Sequence, residues 1–253
     1  MPGFELSVDQ GLARLVLSKA RGNAIDEPLL LDMRDELQRL GRDPTVHGLL
    51  LGSAHPKLFS PGLDLVALAD YDLPALLRFL EVFDEVVALL HGFPRPVVAA
   101  ITGSAVAGGC VFAMCADVRI MATGDARIGL NEAKVGVALP YGVTRLLCAT
   151  VPPQQLTRMA LLGANYNAEE ALAAGLVDQA VPAAEVVPAA EALLRDLLQR
   201  EPAALSLTKA WLRAPVLEAM RTASAAHRQQ FAECWFSPGT QARIRAITAS
   251  LRK

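Results

Sequence analysis

Alternating apolar and polar positions near the start of the chain predict a β-hairpin followed by a helix. Phe4 to Val8 and Leu12 to Leu17 both alternate with a period of two. The Asp9-Gln10-Gly11 segment between them is typical of a hairpin turn. Asp26 is a suitable N-cap for a helix over Pro28 to Leu40, which has proline just inside its start.

The pattern then changes from strand and helix in alternation to helix alone. Val46 to Leu51 predicts a buried strand, a loop with the sequence HPKLFSPGLD follows, and helical periodicity continues to about Leu90. Val118 to Met121 predicts a further short strand. From about Asn131 onward most segments indicate helix, interrupted by Pro152-Pro153, by Gly163 and by a strand over Val177 to Val181. We therefore expect ββα units first and helices last.

A segment of 21 uncharged residues, 96–116, lies between Arg95 and Asp117. Its length suits a membrane span of roughly 20 residues, but small and polar residues interrupt it: Thr102, Gly103, Ser104, Gly108 and Gly109. A strand over Pro96 to Ile101, a turn over 102–109 and a buried helix over Cys110 to Ala116 fit better. A glycine-rich turn that opens a helix exposes backbone N–H groups, which favour negative charge.

Composition indicates a globular protein that binds neither nucleic acid nor membrane. The 253 residues are 53% apolar and carry a formal net charge of −2, so there is no electrostatic case for nucleic acid. No basic segment precedes an apolar run at the N-terminus, as a secretory signal would require. None of the cysteines forms a CxxC motif, and we expect reduced core residues of a cytoplasmic protein: Cys110, Cys115, Cys148 and Cys234.

The weakest point in the pattern lies near residue 200, where a distinct helical tail begins. We expect residues 1–200 to form the core with the ligand site, and residues 201–253 to form a tail that packs on a neighbouring subunit. The tail is basic, with Arg213, Arg221, Arg228, Arg243, Arg245, Arg252 and Lys253. Such cations usually form a solvated helix face, although one of them could meet a ligand phosphate.

Two loops supply candidate hydrogen-bond donors. Pro61 has no N–H group and restricts Ser60 to extended geometry, so the usable donor of the first loop is the amide of Leu63, after the flexible Gly62. If this amide and the amide of Gly108 converge, they form a two-donor oxyanion hole at a helix N-terminus. The alternative is that both loops are ordinary tight turns.

One acid stands out as a candidate base. Glu132 lies among apolar residues before a glycine- and proline-containing turn. Because an apolar pocket disfavours the charged carboxylate, its pKa would rise toward the working range of a general base. The alternative is a glutamate that complements the helix dipole, with Asn131 as the cap.

Other chemistries lack their motifs. His47, His55, His91 and His227 are scattered without metal-ligand spacing, so we expect no metal site. No serine lies in GxSxG, and HExxH, P-loop and GxGxxG motifs are also missing.

In combination, six segments resemble the enoyl-CoA hydratase/isomerase family, the crotonase superfamily, in order and at the family's spacing. They are Arg21-Gly22-Asn23-Ala24, Phe59-Ser60-Pro61-Gly62-Leu63-Asp64-Leu65, Ala107-Gly108-Gly109-Cys110, Cys115-Ala116-Asp117, Leu130-Asn131-Glu132 through Gly136, and Ala174-Gly175-Leu176-Val177-Asp178. The resemblance implies an α/β fold of the crotonase (ClpP-like) type, a spiral of ββα units with a C-terminal helical trimerisation region. It also implies a homotrimer or a dimer of trimers that binds acyl-CoA thioesters, with CoA as part of the substrate and no separate cofactor.

The resemblance also implies roles for individual residues. The amides of Leu63 and Gly108 would hold the thioester oxygen as it becomes an enolate, and Glu132 would be the catalytic acid-base. The substrate and CoA would contact the following residues: Asn23, Ala24, Ser60, Gly62, Leu63, Leu65, Gly109 and Val111. Asp64 and Asp117 would be structural, and Pro61 departs from the small residue common at its position.

The acids separate the reactions of this family. A hydratase uses two glutamates, and the second would fall where this chain has Val111, which can neither activate water nor donate a proton. A single glutamate beside an apolar residue resembles the delta-3, delta-2-enoyl-CoA isomerases, so we expect 3-enoyl-CoA to be converted to trans-2-enoyl-CoA. The alternatives are hydration, decarboxylation or thioester hydrolysis, and an acyl-CoA-binding protein with little catalysis.

Overall fold

The structure, a computed structural model, describes residues 2–20, 22–222 and 225–251. The strands are β1 (Phe4–Asp9), β2 (Leu12–Leu17), β3 (Gly48–Ser53), β4 (Leu58–Ser60), β5 (Val97–Ile101), β6 (Ser104–Val106), β7 (Val118–Ala122), β8 (Ile128–Gly129), β9 (Asn165–Tyr166) and β10 (Gln179–Val181). The helices are α1 (Glu27–Arg42), α2 (Leu65–Leu68), α3 (Leu73–His91), α4 (Gly108–Cys115), α5 (Glu132–Val135), α6 (Tyr141–Thr150), α7 (Pro153–Ala160), α8 (Ala168–Ala173), α9 (Ala183–Leu197), α10 (Pro202–Arg221), α11 (Ala225–Trp235) and α12 (Pro238–Leu251).

The larger sheet has the strand order β1-β2-β3-β5-β7-β10. Strands β1 and β2 pair antiparallel, and each later neighbour pairs in parallel. The predicted hairpin is confirmed: Gln10 and Gly11 both have positive φ, 49° and 79°, as a two-residue turn between twisted strands requires. Helix α1 also begins where predicted, because the Asp26 carboxylate accepts a hydrogen bond from the amide of Leu29 at 3.1 Å.

A second sheet with the order β4-β6-β8-β9 was not predicted. Strand β4 lies in the segment predicted as loop, and β6 lies in the segment predicted as turn. Strands of two or three residues are too short to show a periodic pattern, so only the pairing of distant segments reveals them. This sheet holds the two loops that carry the candidate donors, since β4 precedes Leu63 and β6 precedes Gly108.

The main core lies on one face of the larger sheet. Helices α1, α3 and α4 cover that face and bury long apolar side chains such as Phe79, Phe83 and Phe112. Helix α9 covers the opposite face with Val186, Ala190 and Leu194. The strands buried on both faces are continuous apolar runs, as expected for a parallel sheet.

The tail, residues 202–251 as described, is joined to the core by Asp117. Its carboxylate accepts hydrogen bonds from the amide of Val97 at 2.7 Å, from Lys209 Nζ at 2.6 Å and from Arg213 Nη2 at 2.8 Å. The expectation of a solvated cation is therefore wrong for Arg213 and for Arg228, because both are half-buried and Arg228 pairs with Asp84 at 3.4 Å. Asp117 holds a strand end, as the resemblance implies. Arg252 and Lys253 lie outside the described residues.

Three further expectations concern the cysteines, the start of strand β10 and membrane-spanning helices. The four cysteines are free, and Cys110 and Cys115 are buried, but Cys148 is exposed and Cys234 half-buried, so the core assignment fails for Cys148. Strand β10 begins at Gln179, two residues later than predicted. In the described part of the chain, no helix combines the length and the hydropathy that crossing a bilayer requires. The division at residue 200 and the cytoplasmic location stay predictions.

Candidate active site

A cavity of about 670 Å³ lies beside the N-terminus of α4. Its lining is mostly apolar and comes from α2 to α6 and from the C-terminal helices α11 and α12. It includes six of the residues predicted for the site: Ala24, Leu63, Leu65, Gly108, Val111 and Glu132. The cavity therefore brings the predicted base and both predicted donors to one place. Its size is that of a site for a small-molecule ligand.

The loop that carries Leu63 is fixed on both sides of its amide. Ile25 donates its N–H to the carbonyl of Gly62 at 2.8 Å, and Asp64 donates its N–H to the carbonyl of Ile25 at 2.8 Å. The N–H of Leu63 lies between these bonds and has no hydrogen-bond partner among the described residues. Gly108 is the first residue of α4, so its N–H is one of the donors that a helix leaves unpaired.

Gly62 and Gly108 bring the two backbone segments that carry the candidate donors into contact. Gly62 has φ of 93°, and a Cβ atom built on it would lie 2.8 Å from the backbone nitrogen of Gly108. Glycine is needed here because the loop and the helix start are in backbone contact and because L side chains avoid this conformation.

Ala107 sets the direction of the second donor, and sequence reasoning missed it. Its backbone has φ of 50° and ψ of −123°, a conformation that costs a residue with a Cβ about 1–3 kcal/mol. Two hydrogen bonds hold it: Ala107 donates to the carbonyl of Gly129 at 2.8 Å and accepts from Val111 at 3.0 Å. Because ψ of Ala107 orients the next peptide group, this strained turn determines where the N–H of Gly108 points.

Glu132 is a half-buried residue, and one oxygen of its carboxylate is buried without a partner among the described residues. It is the first residue of α5, and its Oε2 atom is buried with no hydrogen-bond partner in the described part of the protein. Burial raises the pKa of Glu132 to about 7. Asn131, the residue before it, makes no side-chain capping bond. The Asn131 cap therefore lacks support, although Glu132 does stand in the first turn of α5, where an acid complements the helix dipole. The raised pKa of Glu132 also suits a general base.

The second carboxylate in the cavity lining, that of Asp64, already has hydrogen-bond partners. Asp64 caps α2 by accepting hydrogen bonds from the amides of Val66 and Ala67, both at 3.1 Å, and lies 3.7 Å from Lys19 Nζ. It therefore has the structural part that the resemblance implies. Val111, which is buried, lines the same cavity as Glu132 and supplies an apolar wall.

Asn23 and Ser60 lie behind the first loop and not in the cavity lining. The Asn23 side chain donates to the hydroxyl of Ser53 and to the carbonyl of Phe59, both at 2.9 Å, and the Ser60 hydroxyl donates to the carbonyl of Asn23 at 2.8 Å. Both side chains are fully buried, and these bonds fix the loop that presents the Leu63 amide.

The predicted glycines act by close packing. A Cβ on Gly109 would collide with the carbonyl of Ser60, so α4 packs directly against β4. Neither Gly62 nor Gly109 is in the cavity lining. Arg21, the first residue of its motif, lies outside the described residues. Among the described residues, no group of His, Cys, Asp or Glu is arranged to hold a metal ion.

An α/β fold that places two unpaired backbone N–H groups and an acid with a buried, unpartnered oxygen along one mostly apolar cavity suits chemistry on a carbonyl compound. The model of the enoyl-CoA hydratase/isomerase family matches residues 7–242. The chain therefore belongs to the enoyl-CoA hydratase/isomerase family and has the fold of the crotonase superfamily.

Similar proteins carry both names of the family. The structure of human mitochondrial delta3-delta2-enoyl-CoA isomerase superposes with a TM-score of 0.95 at 27% identity, over 99% of this chain and 98% of that one. The mouse mitochondrial enoyl-CoA delta isomerase 1 is 29% identical over 80% of this chain and 71% of its own. The 2,3-dehydroadipyl-CoA hydratase of Escherichia coli K12 is 30% identical over 98% of this chain and 95% of its own. Membership alone therefore does not decide the reaction.

Proposed function

We propose that this protein isomerises 3-enoyl-CoA to trans-2-enoyl-CoA, with Glu132 as the single proton carrier. The observation that carries the proposal is the unpartnered, buried Oε2 of Glu132 in a cavity that Leu63, Gly108 and the apolar Val111 also line. A proton that must leave one carbon and return to another needs one mobile base and no water.

In the first step, Glu132 accepts the proton from C2 of the bound 3-enoyl thioester. The electron pair of the broken C–H bond moves into the thioester carbonyl, whose oxygen becomes negatively charged. The amides of Leu63 and Gly108 donate hydrogen bonds to this oxygen and stabilise the dienolate, an interaction that is strongest when the charge develops.

In the second step, the protonated Glu132 returns the proton to C4. The enolate electrons re-form the thioester carbonyl, and the double bond now lies between C2 and C3, in conjugation with it. Atoms and charge balance without any added reactant. A pKa of about 7 serves both steps, because the same carboxyl group must accept and release a proton at neutral pH.

Hydration of 2-enoyl-CoA is the second candidate, because relatives of this chain are named hydratases. The crotonyl-CoA hydratase of Syntrophomonas wolfei is 28% identical over 98% of this chain and 94% of its own. Hydration, however, needs a group that positions and splits water. Val111 cannot provide it, and Asp64 is held by the backbone of α2 and by Lys19.

We further propose that the protein works as a homotrimer or a dimer of trimers, with α10 to α12 as the associating region. Helix α10 supports this, because Leu207, Trp211 and Leu212 expose 51%, 69% and 74% of their surface. Exposed apolar side chains grouped on one helix are typical of protein interfaces. Light scattering coupled to gel filtration measures the assembly, and a monomer at micromolar concentration would contradict it.

The reaction is tested by incubating the protein in parallel with a 3-enoyl-CoA and with crotonyl-CoA. We expect migration of the double bond to be far faster than hydration. The Glu132→Gln variant keeps the size of the side chain and should lose at least about 10²-fold in rate, the contribution of a positioned base. Its affinity for the CoA thioester should change little. Hydration faster than isomerisation would overturn the proposal, and a fully active variant would remove Glu132 from the chemistry.

A further inference from the structure

The helix that carries Glu132 is too short to hold itself in place. Helix α5 has four residues, and an isolated helix of one turn is unstable because nucleation costs more than one turn of hydrogen bonds returns. It ends at Gly136, with φ of 85°, where the amides of Gly136 and Val137 donate to the carbonyl of Glu132 at 2.9 and 3.0 Å. The position of the base therefore depends on what holds the end of this turn.

The C-terminal segment supplies that support. Thr240, near the start of α12, donates its hydroxyl to the carbonyl of Gly136 at 2.6 Å, and Arg243 donates Nη1 to the carbonyl of Lys134 at 3.2 Å. Thr240 is only 5% exposed. Its hydroxyl oxygen also accepts from the Ser237 hydroxyl at 3.0 Å, which fixes the direction of the Thr240 proton.

The contact between α12 and the end of α5 leaves no room for a side chain at position 136. A Cβ atom on Gly136 would lie 2.9 Å from Arg243 Cδ and 3.7 Å from Thr240 Oγ1, so α12 lies directly against the end of the base-bearing turn. The same C-terminal segment lines the cavity with Trp235, Ile247 and Leu251. One segment therefore contacts both the turn behind Glu132 and the space for the substrate.

We propose that Thr240 is a positioning residue for Glu132, with Arg243 as a second, weaker support. The inference rests on the proposed function, in which Glu132 is the proton carrier. Thr240 does not touch the substrate: it holds the carbonyl of Gly136, and the turn from Gly136 back to Glu132 then keeps the carboxylate in line with C2 and C4. Small displacements of a catalytic group cost large factors in rate.

The test compares two buried threonines of the same helix. Thr240→Val removes the hydroxyl that holds Gly136, whereas Thr248→Val removes a hydroxyl that bonds only within α12, to the carbonyl of Arg245 at 3.1 Å. With a 3-enoyl-CoA as substrate, we expect Thr240→Val to lower kcat by about tenfold or more and to leave KM within about twofold. Thr248→Val should match the wild type, and Thr240→Ser, which keeps the hydroxyl, should recover most of the lost rate.

A second variant covers the case in which Thr240→Val does not fold. Arg243→Met keeps the aliphatic contact with Gly136 and removes only the bond to Lys134, at an exposed position. It should lower kcat by about threefold with KM unchanged. Equal losses in Thr240→Val and Thr248→Val would overturn the proposal, as would a Thr240→Val protein with wild-type kcat.

Hydrogen exchange separates this inference from the proposed function. The amides of Gly136 and Val137 should exchange at least about tenfold faster in Thr240→Val than in Thr248→Val, whatever reaction the protein catalyses. A wild-type protein without isomerase activity would refute the proposed function and leave the exchange result to decide whether Thr240 holds the turn. Unchanged exchange at both amides would refute the positioning role even in an active isomerase.

Discussion

Gly62 and Gly108 are in backbone contact: a Cβ on Gly108 would lie 3.3 Å from the Cα of Gly62. This contact joins a loop after β4 to the start of α4, two segments separated by more than forty residues. It brings the backbone that carries the N–H of Leu63 against the backbone that carries the N–H of Gly108, and neither N–H has a partner among the described residues. The arrangement uses only backbone donors, so it is tested best by removing a donor and not a side chain.

Gly108→Pro removes one donor at the first position of a helix, where proline is common, but it also restricts the backbone of Ala107. We expect kcat to fall about 10²- to 10³-fold, the loss measured for one missing oxyanion donor. Gly108→Ala is the control for crowding, because it keeps the N–H and adds a Cβ 2.9 Å from Ile25 Cδ1 and 3.3 Å from the Cα of Gly62. Leu63→Ala likewise keeps its amide and should retain most of the activity.

Steady-state kinetics and a thermal melt of each variant complete this test. A folded, fully active Gly108→Pro protein would show that the oxyanion is held elsewhere. Equal losses in Gly108→Pro and Gly108→Ala would assign the effect to crowding against Ile25 and Gly62.

The pH dependence of kcat/KM should report the raised pKa of Glu132. The base must be ionised in the free enzyme, so kcat/KM should fall about tenfold per pH unit below pH 7 and be constant above it. The measurement is a pH–rate profile between pH 5 and 9 with a 3-enoyl-CoA. An inflection near 4.5, the ordinary value for glutamate, would mean that the carboxylate is solvated in the free enzyme.

The same pKa predicts a cost in stability. The folded state keeps the Glu132 proton up to about pH 7, whereas the unfolded chain releases it near 4.5, so this group makes the protein less stable as pH rises through that window. Relative to Glu132→Gln, the wild type should lose on the order of 2 kcal/mol of unfolding free energy between pH 5 and 8. Urea unfolding of both proteins at the two pH values measures the difference, and a constant difference would contradict the burial of the charge.

Val111 should decide whether water takes part. Val111→Glu places a second carboxyl group in the cavity that holds Glu132, and we expect it to gain measurable hydration of crotonyl-CoA. Val111→Gln is the control, since it has the same size and cannot accept a proton from water. The two products are distinguished by chromatography of the acyl-CoA thioesters. Equal hydration by both variants would mean that space, and not an acid, is what the wild type lacks.

The apolar cavity should favour long acyl chains. Each methylene buried in it contributes about 0.8 kcal/mol, so KM should fall about three- to fourfold per added carbon until the chain reaches the end of the cavity. Ile247 and Leu251 belong to the lining contributed by α12. Ile247→Trp should therefore raise KM for the longest substrates and leave the shortest unchanged. A KM independent of chain length would place the acyl chain outside this cavity.

The sequence was most informative where a pattern is local. The hairpin at Gln10-Gly11, the helix start at Asp26 and the strand from Val97 are confirmed because each depends on a few neighbouring residues. Glu132 could be singled out because a charged residue among apolar ones is visible in a linear chain. The absence of a partner for its Oε2 atom could not be predicted, because it depends on every segment that folds around Glu132.

Features that depend on distant contacts escaped the sequence analysis. The second sheet consists of strands of two or three residues whose pairing joins remote loops. Ala107 carries no signal of its strained backbone, because alanine before two glycines looks like any small-residue turn. Asn23 and Ser60 were expected to contact the ligand, but the Ser60 hydroxyl bonds to Asn23 and the Asn23 side chain bonds to Phe59 of the loop. A sequence motif gives the residue types and does not show in which direction their side chains point.

Asp117 has a consequence for how the molecule comes apart. One carboxylate joins the first residue of β5 to two cations of α10, so the tail cannot leave without uncovering charges that are half-buried in the core. Melting of the tail and of the sheet should therefore be coupled into one cooperative transition, although composition separates the two regions. Proteolysis near residue 200 should therefore be slow, because few molecules are partly open there. Replacing Asp117 with alanine should split the single thermal transition into two.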